Sequence, residues 1–183
     1  MANTIGQGSY AQFEQMDEYA YNAVKYLMDN DEVIWKLLKY NDPNAWSKPN
    51  LTQEQKGALI YDGSDNTALF RVFLDQGQPD VNVGENTQIR ISQYSLFPEN
   101  RTVATNSMMF EVYAHYKINH LSNYKTRTDM IMKRFLQVFN GCSSIGGIGN
   151  LYFDRQASES ARQEYGGQLP FRGKWVVMSN KSN

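Results

Sequence analysis

Five cations crowd one short stretch of this 183-residue chain. Lys117, Lys125, Arg127, Lys133 and Arg134 face a single acid, Asp129, within residues 117–134, and Tyr113, Tyr116 and Tyr124 lie close by. Basic residues interleaved with aromatics can hold phosphate while bases stack, or can meet an acidic protein surface. The rest of the chain offers less. His115 and His120 are five apart at the end of an alternating segment, which puts them on opposite faces of a strand, where they cannot easily share a metal. Cys142 follows a predicted helix C-terminus, the negative end of the dipole, which raises a thiol pKa and does not activate it. Ile145-Gly146-Gly147-Ile148-Gly149-Asn150 follows a helix and precedes a strand, the reverse of a phosphate-cradling loop, and reads as a tight connection. Asp75, Asp80, Glu85 and Glu111 have no spacing that singles out a catalytic pair. The residues predict no catalytic group, no metal site and no cofactor.

The elements that must position these residues follow from periodicity. Phe13, Met16, Ala20, Ala23, Val24 and Leu27 recur at three and four, predicting a helix over 12–28. Asp29-Asn30-Asp31 breaks it and opens a second helix with Val33, Ile34, Leu37 and Leu38 as its stripe. Asn41-Asp42-Pro43-Asn44 is a turn, and Thr52 with Gln55 forms a capping-box pattern for a short helix over 52–60. Strands are predicted at 68–75, 87–95, 108–119, 151–154 and 173–179. In 108–119, Phe110, Val112, Ala114, Tyr116 and Ile118 share one face; Glu111, Tyr113, His115, Lys117 and Asn119 share the other, so a half-buried strand is expected. Thr126-x-x-Asp129 starts a long helix to about residue 140 with Ile131, Phe135, Val138 and Phe139 inward, and Gly141 follows as its C-cap. Helices and strands fall in separate blocks. The expected class is therefore α+β: N-terminal helices, then a mostly antiparallel β-sheet packed by one long helix. One compact domain is expected, with a flexible arm at 1–10, a helical segment at 11–62 and an α+β core at 63–183.

Composition narrows the function. Hydrophobic residues make up 41% and aromatics 13%, too many for a disordered chain, and the formal net charge of −1 argues against bulk nucleic-acid or anionic-membrane binding as the main role. One cysteine permits no internal disulfide. The opening MANTIGQGSYAQFEQ lacks the basic and apolar regions of a secretory signal, and no apolar run approaches the roughly 20 residues of a membrane span, so a cytoplasmic protein is expected. Charge is unevenly distributed. Residues 1–65 carry 10 acidic and 5 basic residues, and residues 66–183 carry 9 acidic and 13 basic, so the two parts are oppositely charged.

Over about residues 66–183 the chain resembles the neck proteins of tailed bacteriophages, in particular the tail-terminator and tail-to-head joining (tail-completion) group. The likeness is carried by the run His120-Leu121-Ser122-Asn123-Tyr124-Lys125-Thr126-Arg127-Thr128-Asp129 after a strand, the helix 130–140, Asn140-Gly141, the glycine-rich turn, Ile148-Gly149-Asn150-Leu151 and the last strand. The resemblance implies a virion structural protein, assembled in the host cytoplasm, that forms a ring at the head–tail junction and caps the tail. Its implied partners are further copies of itself, in about six copies, a neighbouring connector ring, the tail tube protein and genomic DNA in the channel, with no membrane. A head-closure or adaptor ring is the alternative, and a nucleic-acid-binding accessory protein a more distant one. The expected contact residues are Lys117, Lys125, Arg127, Lys133 and Arg134, with Gln78, Asp80 and Glu85 on a loop over 76–86 that reaches an adjacent ring. Charge reversal at Arg127 and Arg134 is expected to weaken joining or DNA passage with the fold intact. Phe135→Ala is expected to act on folding instead.

Overall fold

The structure, a computed structural model, describes residues 18–64, 67–75, 84–98, 104–143, 145, 150–154 and 171–181. The helix α1 (Tyr19–Asn30) buries Ala23, Val24 and Leu27 as expected, with Tyr19 buried in place of the expected Ala20, which is half-buried; Phe13 and Met16 of the predicted stripe lie outside the described residues. It ends where the Asp31 amide bonds the Leu27 carbonyl at 3.1 Å. The Asp31 carboxylate then accepts from the Ile34 amide at 2.7 Å and so starts α2 (Val33–Lys39). A 3-10 turn over Ala45–Ser47 follows, then α3 (Gln53–Gly57), whose capping box is the predicted one. The Thr52 hydroxyl accepts from the Gln55 amide at 3.2 Å, and the Gln55 side chain accepts from the Thr52 amide at 3.0 Å.

The described strands form a five-stranded sheet in the order β1-β2-β3-β5-β4. They are β1 (Val72–Phe73), β2 (Thr87–Pro98), β3 (Ala104–His115), β4 (Asn150–Phe153) and β5 (Phe171–Lys181). Only the β1–β2 pair is parallel. The class is thus α+β as expected. The predicted strand at 68–75 shrinks to two residues because Thr67–Leu69 closes into a 3-10 turn. The predicted strand at 108–119 shifts to 104–115. Its end is set by His115, whose ring nitrogen accepts from the Lys117 amide at 3.3 Å and turns the chain into a 3-10 helix over Tyr116–Ile118. Tyr116, expected inward, is exposed as a result.

The helix α4 (Arg127–Phe139) lies on the sheet. Thr126 caps it by accepting from the Asp129 amide at 3.1 Å, and Ile131, Phe135 and Phe139 point inward. Phe110 of β3 meets Phe139 at 4.7 Å and Phe135 at 5.4 Å between ring centres. Beyond the helix, Gly141 adopts φ +85, the left-handed value its position requires, and its amide bonds the Leu151 carbonyl at 2.7 Å. That turn ties α4 to β4.

The opposite face of the sheet corrects an expectation. Glu111 and His115 were expected toward solvent, yet Glu111 is only 3% exposed and His115 is buried too. Several polar groups of this face pair with one another, although the Arg90 Nε and Ser92 Oγ atoms are buried without a hydrogen-bond partner among the described residues. Arg90 stands across from Glu111 in the strand register and packs over the Tyr113 ring at 5.2 Å. The Tyr113 hydroxyl donates to Glu111 at 2.8 Å, and the Ser107 and Ser179 hydroxyls meet at 2.7 Å.

Phe135 is fully buried. Phe135→Ala should therefore lower stability by about 3–5 kcal/mol in urea titration, through lost transfer energy and a residual cavity.

Candidate functional site

The five predicted cations separate into three environments. Arg127 is 0% exposed and is not a surface contact. Its guanidinium donates to four backbone carbonyls: Leu37 at 2.5 Å, Tyr40 at 2.8 Å, Asp42 at 3.2 Å and Ile118 at 3.1 Å. The first two belong to the C-terminal end of α2, where backbone carbonyls lack intrahelical partners and the dipole favours a cation. Burial pulls the Arg127 guanidinium down to about 10, while nearby Asp42 pulls it up, so it stays cationic at neutral pH. The expectation that charge reversal here spares the fold is therefore overturned: an acid at 127 would face carbonyl oxygens in a dry site.

Lys117 and Glu85 answer one another. They form an exposed ion pair at 2.6 Å. The hydrogen bond and charge of Lys117 hold the Glu85 carboxyl below the usual range, and Glu85 in turn raises Lys117. Gln78 and Asp80, assigned to the same loop, lie outside the described residues.

Lys125, Lys133 and Arg134 do converge. They line a cleft of about 350 Å³ with Val33, Trp46, Asp129, Met130 and Gln137. Met130, Lys133, Arg134 and Gln137 occur at the i, i+3, i+4, i+7 spacing that gives one helix face, the outer face of α4. Val33 opens α2, and Trp46 comes from the 3-10 turn. A second hollow of about 310 Å³, lined by Tyr26, Asn30 and Val138, shares Arg134 and Gln137 with the first.

The charges of the cleft are not equally available. Arg134 donates to Asp31 at 2.5 Å, and that carboxylate is wholly buried while it also caps α2. Asp129 pairs with Lys174 of β5 and accepts from the Thr126 hydroxyl at 2.5 Å. Burial alone would raise the Asp129 carboxyl, but the hydrogen bonds from Lys174 and Thr126 outweigh it and leave it below the ordinary value. Lys125 and Lys133 are exposed and form no ion pair among the described residues. Sequence reading missed Trp46. It is 38% exposed in a turn-rich stretch, where a large aromatic with no helical or strand periodicity is itself a signal of a contact residue. Tyr124, next to Lys125, is fully exposed at φ 61, a left-handed conformation that is uncommon for an aromatic residue. Its turn is held from both sides, since the Ser122 amide bonds Pro43 at 3.0 Å and the Leu121 amide bonds Lys125 at 2.9 Å.

Fold and cleft together define a small α+β protein with a cationic, aromatic surface between two helices. The chain belongs to the YomW family, which it matches over residues 31–169. That family is phage-derived, of the Bacillus SPbeta-like yom group, and makes this a phage-associated protein. The matched stretch contains every residue that lines the cleft and leaves α1 outside. No curated protein matches the chain. Among the described residues, no helix is long and apolar enough to cross a membrane, and no three of His, Cys, Asp and Glu gather as a metal site.

Two outcomes follow from these contacts. Arg127→Met removes the donor to four buried carbonyls and should cost about 3–5 kcal/mol in urea titration, and Arg127→Lys should not restore it, since an ammonium lacks the planar fork. A lowered Asp129 carboxyl stabilises the fold above the ordinary carboxylate range, and that contribution fades as pH falls through the depressed value. The melting temperature of Asp129→Asn should therefore change less between neutral pH and about pH 3 than that of the unaltered protein.

Proposed function

We propose that this protein is a structural component of a tailed-phage virion that forms a ring at the head–tail junction, as a tail-terminator or tail-to-head joining protein. The observation that carries the reading is the cleft. It sets two lysines with no acid of their own around a partly exposed tryptophan, on a surface built by two packed helices. Such a surface suits a partner that brings carboxylates and apolar side chains. The phage-derived family supports the setting. Oppositely charged parts of one chain suit a ring, because a cyclic contact joins two different surfaces of each subunit.

In this reading no residue is catalytic and no cofactor is needed. The partners are other copies of the chain, a connector ring on the head side and the tail tube protein, and the DNA passes through the channel. A second reading, a head-closure or adaptor ring, draws on the helical layer α1 to α3, which lies before residues 66–183, the part that carries the resemblance to tail terminators. Native mass spectrometry with negative-stain imaging tests the ring. Closed assemblies of about six copies are expected. A monomer at every concentration, together with normal joining of heads and tails in phage lacking the protein, would overturn the proposal.

A further inference from the structure

We propose that the cleft seats residues 12–17 of a second copy of this chain. The inference rests on the ring reading and names the contact that would close it. The cleft dictates what an occupant must supply. Its apolar surface comes from Val33, Trp46 and Met130. Arg134 and Asp129 are already engaged, by Asp31 and Lys174, which leaves Lys125 and Lys133 to be met by carboxylates from outside. An occupant therefore needs two acids and apolar side chains at short spacing.

The chain contains such a segment. Gln12-Phe13-Glu14-Gln15-Met16-Asp17 sets Phe13 and Met16 three apart and Glu14 and Asp17 three apart, and residues 1–17 hold no lysine or arginine. At that spacing each pair shares one side of a helical turn. A phosphate backbone fits the cleft less well, since it would meet Asp129 at the rim and an apolar surface beneath only two available lysines. The second copy is favoured by where the chain enters the fold. The C-terminal part of α1, at Tyr26 and Asn30, borders the hollow beside the cleft, while Tyr19 begins the helix at the other end, about 10 Å of helical rise from Tyr26 and about 16 Å from Asn30. A segment leaving at Tyr19 must retrace α1 to reach its own cleft, whereas in a head-to-tail ring it meets the neighbour.

Equal amounts of unlabelled and nitrogen-15-labelled full-length protein would be mixed, assembled and treated with a zero-length carbodiimide, which joins carboxylates to lysine amines. The expected result is links from Glu14 or Asp17 to Lys125 or Lys133 that combine the two isotopes. Links confined to one isotope would show a chain occupying its own cleft and overturn the inference; so would the absence of these links. The double variant Glu14→Lys/Asp17→Lys should lose the assembly, and adding Lys125→Glu/Lys133→Glu should restore it. Rings that form without the links refute this contact and leave the ring reading standing. Dimers that carry the mixed links support the contact and refute the ring. Salt-sensitive DNA binding lost in Lys125→Glu/Lys133→Glu, with no links in the unaltered protein, would assign the cleft to nucleic acid instead.

Discussion

The Arg127 guanidinium donates to carbonyls that lie 85 to 90 residues earlier in the chain and to Ile118 nine residues earlier. One cation therefore holds the end of α2, the turn after it, the link that follows β3 and the start of α4. Its position at the first residue of α4 is electrostatically unusual, since a helix N-terminus repels a cation. The carbonyl oxygens at the end of α2 offset that repulsion and the cost of desolvation. Two other charged groups work in the same way at the opposite corner of the helical layer. The Lys56 ammonium, buried, donates at 2.6 Å to the Met28 carbonyl near the end of α1 and pairs with Glu32. Asp31 starts α2 and draws Arg134 of α4 to it. The helices are short, and their unsatisfied ends are joined to neighbouring elements rather than left to water.

The cleft depends on these joints. Its walls come from α2, the Ala45–Ser47 turn and α4, none of which would sit at a fixed distance from the others without the ends being tied. Arg127 ties the end of α2 to the beginning of α4, and the Arg134–Asp31 contact ties the start of α2 to the middle of α4. The inner face of α4, Ile131, Phe135 and Phe139, is anchored on Phe110 of the sheet, so the outer face is turned away from the core. Lys125, Lys133 and Trp46 are thus displayed on a surface whose position is set by Arg127 and Asp31, outside the cleft, and by Arg134, which also lines it.

Local chemistry was the most legible part of the sequence. The Thr52–Gln55 capping box, the Thr126 cap, the inward stripe of α4 and the left-handed Gly141 each depend on residues within a few positions of one another, and each stands as read except Val138, which is half-buried and lines the second hollow. Arg127 was not legible, because it sits in a run of cations beside Lys125, Lys133 and Arg134, and its acceptors are backbone carbonyls that leave no mark in a side-chain pattern. Alternation in β3 separated its two faces correctly, with Phe110 and Val112 in the helical core. It could not tell that Glu111 and His115 are buried as well, since polar residues that satisfy each other look the same in sequence as polar residues that face water. Of the candidate site, the lysines and Arg134 were found by charge. Val33 had been assigned to a core stripe, and Trp46 belongs to no periodic element.

The most direct measurement of the Arg127 joint is native-state hydrogen exchange followed residue by residue. The amides of Tyr40, Ala45, Ser122 and Arg127 bond Lys36, Asp42, Pro43 and Asn119, and all lie on segments that the guanidinium or its turn holds together. If the joint makes them one cooperative unit, these four amides exchange with a common opening free energy, and Arg127→Lys lowers all four by the same amount. Four unrelated values, or a loss confined to Arg127 itself, would contradict the view that one buried cation sets the arrangement of α2, α4 and the cleft between them.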